Sequence, residues 1–159
     1  MSIFLPVIWS GLLAAGVMAM FLVAIEKIGW AKSDMFWTLG KIFSNDKKKA
    51  KAIGLLIHAT AGVAFALGYV LLWSIYSPLD YNNFISAGIL TGALHGAMVA
   101  VSLIIMVTGR NKGWNVAMTQ VASHTIFGLV LGGIVGMLEM KYESVSTIAS
   151  VVTRQDSTF

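Results

Sequence analysis

Residues 114–138 read WNVAMTQVASHTIFGLVLGGIVGML, a stretch without one charged side chain. A helix of that length rises about 37 Å and so crosses the roughly 30 Å hydrocarbon core of a bilayer. Within it His124, Gly128, Gly132 and Gly136 follow one another in steps of four, which keeps them on one helix face. Small residues on one face let membrane helices approach closely. This stretch is therefore expected to span the membrane with its histidine turned toward another helix and away from lipid.

Three more uncharged stretches, residues 1–25, 52–79 and 81–109, lie N-terminal to it. Across all 159 residues 57% are hydrophobic and 11% charged, whereas about a quarter of the residues in a soluble domain are charged. The pattern predicts an all-α integral membrane protein, a single four-helix bundle over residues 1–139. Its spans fall at about 3–25, 53–76, 84–108 and 114–138, and residues 140–159, rich in Ser, Thr and Val, are expected to be a frayed or weakly structured external tail. Stretch 1 has no positively charged leader and is too long for the apolar part of a signal peptide, so it reads as a retained span. Pro6 sits in its first turn, where a missing N–H costs nothing.

The connector after the first span has its own helical pattern. Ser33 is a candidate N-cap with Asp34 in the first turn, and Met35, Phe36, Leu39, Ile42 and Phe43 recur at helical spacing. A short interfacial helix is expected there, with Trp30 and Trp37 at headgroup depth and residues 45–51 against anionic lipid.

Charge sets the orientation. Lys27, Lys32, Lys41, Lys47, Lys48, Lys49 and Lys51 lie between the first two spans, and Arg110 and Lys112 between the last two, so nine of the eleven basic residues share one side. By the positive-inside tendency these two loops, 26–51 and 109–113, are cytoplasmic, and both termini are outside. The net charge of +4 thus marks a membrane face and gives no sign of nucleic-acid binding.

The chain contains no cysteine, which excludes disulfides, thiolate metal sites and cysteine nucleophiles. It has no Walker-type phosphate loop, no HExxH and no GxSxG. No carboxylate lies inside a span, with Glu26 and Glu139 only at ends, so paired-acid catalysis and an ordinary ion-coupled carrier lack their residues.

What the spans do hold is one histidine each in the second, third and fourth: His58, His95 and His124. An ionisable group in hydrocarbon is a functional candidate, and imidazole is easily kept neutral at physiological pH. The plainer account of any one of them is an N–H satisfied on a neighbouring helix, with Thr60, Thr91, Thr119, Gln120 and Ser123 as candidate partners. At 1.5 Å per residue, His124 lies about 18 Å from Lys112, His95 about 22 Å from Arg110 and His58 about 10 Å from Lys51. His95 and His124 are therefore expected to be a pair able to share haem b or a transition metal, with His58 an outlier about 8 to 12 Å shallower. Met18, Met98, Met106 and Met118 add soft thioethers that suit copper.

The first and third spans also resemble each other: Ser10 to Met20 reads SGLLAAGVMAM and Ala87 to Ala97 reads AGILTGALHGA. The second and fourth share His-x-x-x-Gly, at His58 to Gly62 and His124 to Gly128. Two like-oriented hairpins of this kind are related by an axis along the membrane normal.

Five motifs, GLLAAG from Gly11, DMFWTLG from Asp34, IHATAG from Ile57, LHG from Leu94 and HTIFGLVLG from His124, resemble an uncharacterised family of small bacterial four-helix membrane proteins, YagU-like in pattern. The likeness runs to about Gly136. It implies the fold and a bacterial plasma membrane, but no activity or ligand. Three readings follow: a non-enzymatic protein with an intramembrane histidine site, a structural or accessory subunit that packs against itself or a membrane complex, and a small oligomeric permease.

Overall fold

The computed structural model describes residues 4–31, 34–75, 81–106 and 113–156. Among them the chain forms five helices and no strand: α1 (Phe4–Lys27), α2 (Met35–Gly40), α3 (Lys47–Ile75), α4 (Tyr81–Met106) and α5 (Gly113–Asp156). Four of these are long and apolar enough to cross a bilayer, over Leu5–Lys27, Lys47–Ile75, Asn83–Ser102 and Gly113–Lys141. The protein is an all-α integral membrane protein with the helices of a membrane bundle.

Helix α1 lies between α3 and α5, α4 pairs with α5 along most of its length, and α3 barely touches α4. The α4–α5 seam is built from glycine. A Cβ on Gly88 would run into the Gly128 carbonyl, one on Gly92 into the His124 carbonyl, and one on Gly132 into the Phe84 carbonyl. The α1–α3 seam repeats the arrangement more loosely, with Gly11 facing Ala66 and Gly62 facing Ala15. Around these seams Met18, Leu22, Tyr69, Trp73, Phe127 and Leu131 form the buried core. Leu5, Met20, Leu71, Leu90 and Leu94 stay exposed, as side chains that meet lipid do.

Three expectations need correction. The interfacial helix is only six residues long, and its N-cap is Asp34, whose carboxylate accepts the Trp37 N–H at 3.1 Å; Ser33 lies outside the described residues. Ile42 and Phe43 fall beyond its end and are exposed. Nor does α2 lie loosely on the bundle. Gly40 meets the Ala50 carbonyl and Gly54 the Phe36 carbonyl, so α2 and the first turns of α3 touch backbone to backbone.

Helix α3 begins at Lys47, several residues before the expected span. Asp46 caps it, accepting the Lys49 N–H at 2.8 Å, so the lysine run is its first turn. Of the expected tail, residues 140–156 are not weakly structured: α5 continues unbroken to Asp156. No Gly or Pro interrupts residues 137–156, and extending an anchored helix avoids the cost of a new nucleus. At about 1.5 Å per residue α5 is some 66 Å long, about twice the hydrocarbon thickness. The expected external turn through residues 77–80 and the connector at 109–112 lie outside the described residues.

Candidate functional site

His58 on α3, His95 on α4 and His124 on α5 line one partly open cavity of about 70 Å³, closed on the fourth side by Ala15 and Met18 of α1. The glycine seams bring them there. With Gly92 pressed against the His124 carbonyl and Gly96 against Val121, α4 and α5 come close enough for His95 and His124 to meet. Their ring centroids are 4.6 Å apart at an interplanar angle of 65°. The two rings are in edge-to-face contact.

His58 is not the outlier that residue counting made it. It borders the same cavity, because distance along separate helices from separate charged ends ignores tilt and offset between helices. The three do not converge fully, however: among the described residues no three His, Cys, Asp or Glu side chains form a group able to hold an ion.

Hydrogen bonds orient the pair. His124 Nδ1 lies 2.8 Å from the Gln120 carbonyl oxygen. A carbonyl only accepts, so His124 carries its proton on Nδ1 and leaves Nε2 with a lone pair. His95 Nδ1 lies 2.9 Å from the Tyr69 hydroxyl, which is also 3.3 Å from the Thr91 carbonyl. A hydroxyl that donates to Thr91 accepts from His95 Nδ1–H, and His95 then also presents a free Nε2. His58 Nε2 is buried without a hydrogen-bond partner.

The expected partners mostly serve their own helices. Thr60, Thr91 and Thr119 donate to carbonyls four residues back. Ser123 donates to the Gln120 carbonyl at 3.0 Å and only brushes His124 Nδ1 at 3.4 Å. Tyr69, which holds His95, was not among the expected partners. The available signal was its spacing: eleven residues, close to three turns, put it on the His58 face of α3, and a buried phenol needs a partner.

Aromatic rings complete the walls. Phe65 lies 4.1 Å from His95 between ring centroids, and Phe36 of α2 meets His58 edge-on at 5.5 Å. Phe127 lines the cavity from α5. Of the methionines, Met18 alone among those expected is a lining residue; Met98 and Met118 are exposed, and Met106 lies outside the residues whose side chains are described. The site thus offers imidazole nitrogens and one thioether, with no carboxylate.

No curated protein and no solved structure matches the chain. By its match over residues 1–146, the chain belongs to the family described as Family of unknown function (DUF6789).

Proposed function

We propose that this protein holds a transition-metal ion within the membrane through His95 and His124, as a non-enzymatic binding or carrier protein. The observation that carries the reading is the pair's geometry. Each Nδ1 has a hydrogen-bond partner and each Nε2 keeps its lone pair, the arrangement in which a ligating histidine is fixed by its outer partner. Two imidazoles on one tetrahedral ion at about 2.0 to 2.1 Å put their ring centres about 5 Å apart, so a shared ion would part these edge-to-face rings, now 4.6 Å apart, by only about half an ångström.

Haem b fits these residues poorly. Imidazoles on opposite faces of a macrocycle have centroids about 6 Å apart with a flat plate between them, whereas these rings touch edge to face in a cavity of about 70 Å³. That volume suits an ion with at most about two waters. The setting we propose is a bacterial plasma membrane with loops 26–51 and 109–113 in the cytoplasm, an orientation supported by the lysine distribution.

The test is metal analysis by mass spectrometry on detergent-purified protein, with Co(II) and Zn(II) titrations in air and a Cu(I) titration under reducing conditions. About one ion per chain, lost in His95→Gln and His124→Gln, is the expected outcome. Metal-free protein that binds none of the added ions would overturn the reading.

A second reading has one specific observation behind it. Tyr69 of α3 bonds to both His95 and the Thr91 carbonyl of α4, joining the two helices that otherwise hardly meet. Under this reading the histidines only lock the bundle for a structural or accessory role. His95→Gln would then lower thermal stability with no effect on metal content.

A further inference from the structure

The cavity has an internal symmetry that identifies its remaining donors. In the match between Ser10–Met20 and Ala87–Ala97, Met18 occupies the place of His95; in the match between the second and fourth spans, His58 occupies the place of His124. The two hairpins also pack in the same register. Gly11 of α1 faces Gly62 and Ala66 of α3, as Gly88 of α4, its counterpart, faces Gly128 and Gly132 of α5. The four equivalent positions, Met18 and His58 from one hairpin and His95 and His124 from the other, all line the one cavity. The cavity is lined by two equivalent pairs of positions, with a thioether in one pair where the other has an imidazole.

Resting on the metal-binding reading above, we infer that the ion is a soft monovalent one, cuprous copper, held by His95, His124 and the Met18 sulfur, with His58 lining the cavity beside them. Two observations select it. Every donor is neutral, and no carboxylate or thiolate lines the cavity. The cost of placing an ion in low dielectric grows with the square of its charge, so an uncompensated dication costs about four times as much as a monocation. A thioether is also a soft donor that contributes to copper(I) sites and hardly to zinc(II) or manganese(II) sites. Met18 is 3% exposed and lines the cavity, so its thioether is largely kept from bulk water.

The experiment uses full-length protein in nanodiscs under anaerobic, reducing conditions. Cu(I) is titrated against a chromophoric Cu(I) chelator, and Zn(II) and Co(II) are titrated in parallel. The expected result is one Cu(I) per chain, bound more tightly than Zn(II), with a sulfur scatterer in the X-ray absorption spectrum of the loaded protein. Met18→Leu keeps an apolar side chain of similar size; it should weaken Cu(I) by about tenfold or more, in the range known for loss of a contributing ligand-shell group, and leave Zn(II) affinity unchanged. His58→Gln should weaken Cu(I) less than His95→Gln.

Binding of Zn(II) or Co(II) through His95 and His124, with no preference for Cu(I) and no effect of Met18→Leu, would overturn this inference and leave the metal-binding reading standing. Failure to bind any of the three ions would overturn both. If Met18→Leu fails to fold, the sulfur scatterer in wild-type protein decides: its absence from a Cu(I)-loaded sample removes Met18 from the site.

Discussion

At Asp34 a single carboxylate caps α2 through the Trp37 N–H and pairs with Lys51 at the start of α3. Partial burial works to raise its pKa, but the Lys51 hydrogen bond, the Trp37 N–H and the charges of Lys51 and Lys47 together outweigh that and hold it below the usual carboxylate range. A folded pKa below the unfolded one means a stabilisation that is complete above about pH 4, near the unfolded aspartate value, and is lost as pH falls through the folded pKa. Asp34→Asn retains an acceptor for the cap and removes the titration, so its melting temperature in detergent should fall less steeply on acidification than that of wild type. Asp34→Ala loses the cap as well and should cost about 1 kcal/mol at neutral pH; the partly exposed ion pair adds little. An unchanged acid profile in Asp34→Asn would show that this carboxylate does not carry the effect. Tyr69 makes the second prediction at this scale. Tyr69→Phe removes the hydroxyl between His95 Nδ1 and the Thr91 carbonyl, at a cost of about 1 kcal/mol in stability. Under the metal reading it should also weaken the ion by about 10- to 100-fold, as expected when a ligand loses its orienting partner. Equal metal affinity in Tyr69→Phe and wild type would separate the tyrosine from the site. Sequence alone led to His95 and His124 because a histidine stands out in an apolar run. Tyr69 stayed hidden because its partner lies on another helix.

Between helices, what glycine does depends on which face it occupies. Gly128 and Gly133 sit little more than a turn apart on α5. A Cβ on Gly128 would meet the Gly88 carbonyl, while one on Gly133 finds nothing within 4 Å. Gly128→Ala must push α4 from α5 and should cost about 1 to 3 kcal/mol, as overpacking does. Gly133→Ala should be neutral or stabilising by up to about 1 kcal/mol, since alanine loses less backbone entropy in a helix. Thermal unfolding of the two variants in the same detergent reads the contrast, and equal melting temperatures would refute the backbone-contact seam. The four-residue glycine steps make this seam legible in the sequence, because period and side-chain size act locally. Two boundaries were not legible. The lysine run looked like a loop by charge, yet Asp46 caps it into α3; the Ser, Thr and Val content after residue 140 looked like a tail, yet no breaker stops α5 before Asp156. Composition reports what a segment tolerates, whereas a cap or the absence of a breaker decides where a helix ends.

Across the whole molecule, the segment after α1 and the start of α5 belong to one end of the bundle. The Asn115 side chain near the start of α5 donates to the Trp30 carbonyl at 3.0 Å, and α2 packs on the first turns of α3 at that same end. Four crossings and the count of lysines were legible in the sequence. The common cavity was not, since it depends on how far each helix slides along its neighbour, which single-helix periodicity leaves free. The side of the membrane that this end faces is a separate question, and the absence of cysteine from the chain makes it directly measurable. Asn45→Cys, beside the lysine run, and Asp80→Cys, between the second and third spans, each supply one thiol in an otherwise unreactive chain. If the lysine-bearing end is cytoplasmic, a membrane-impermeant maleimide applied to intact cells should label position 80 and spare position 45 until the membrane is permeabilised. The reverse pattern would invert the protein, moving the lysines away from the anionic inner leaflet that is expected to attract them. It would also turn the Asn115–Trp30 end, and the α2 cover over His58, toward the outside. An ion reaching the cavity past α2 would then come from the external medium and not from the cytoplasm.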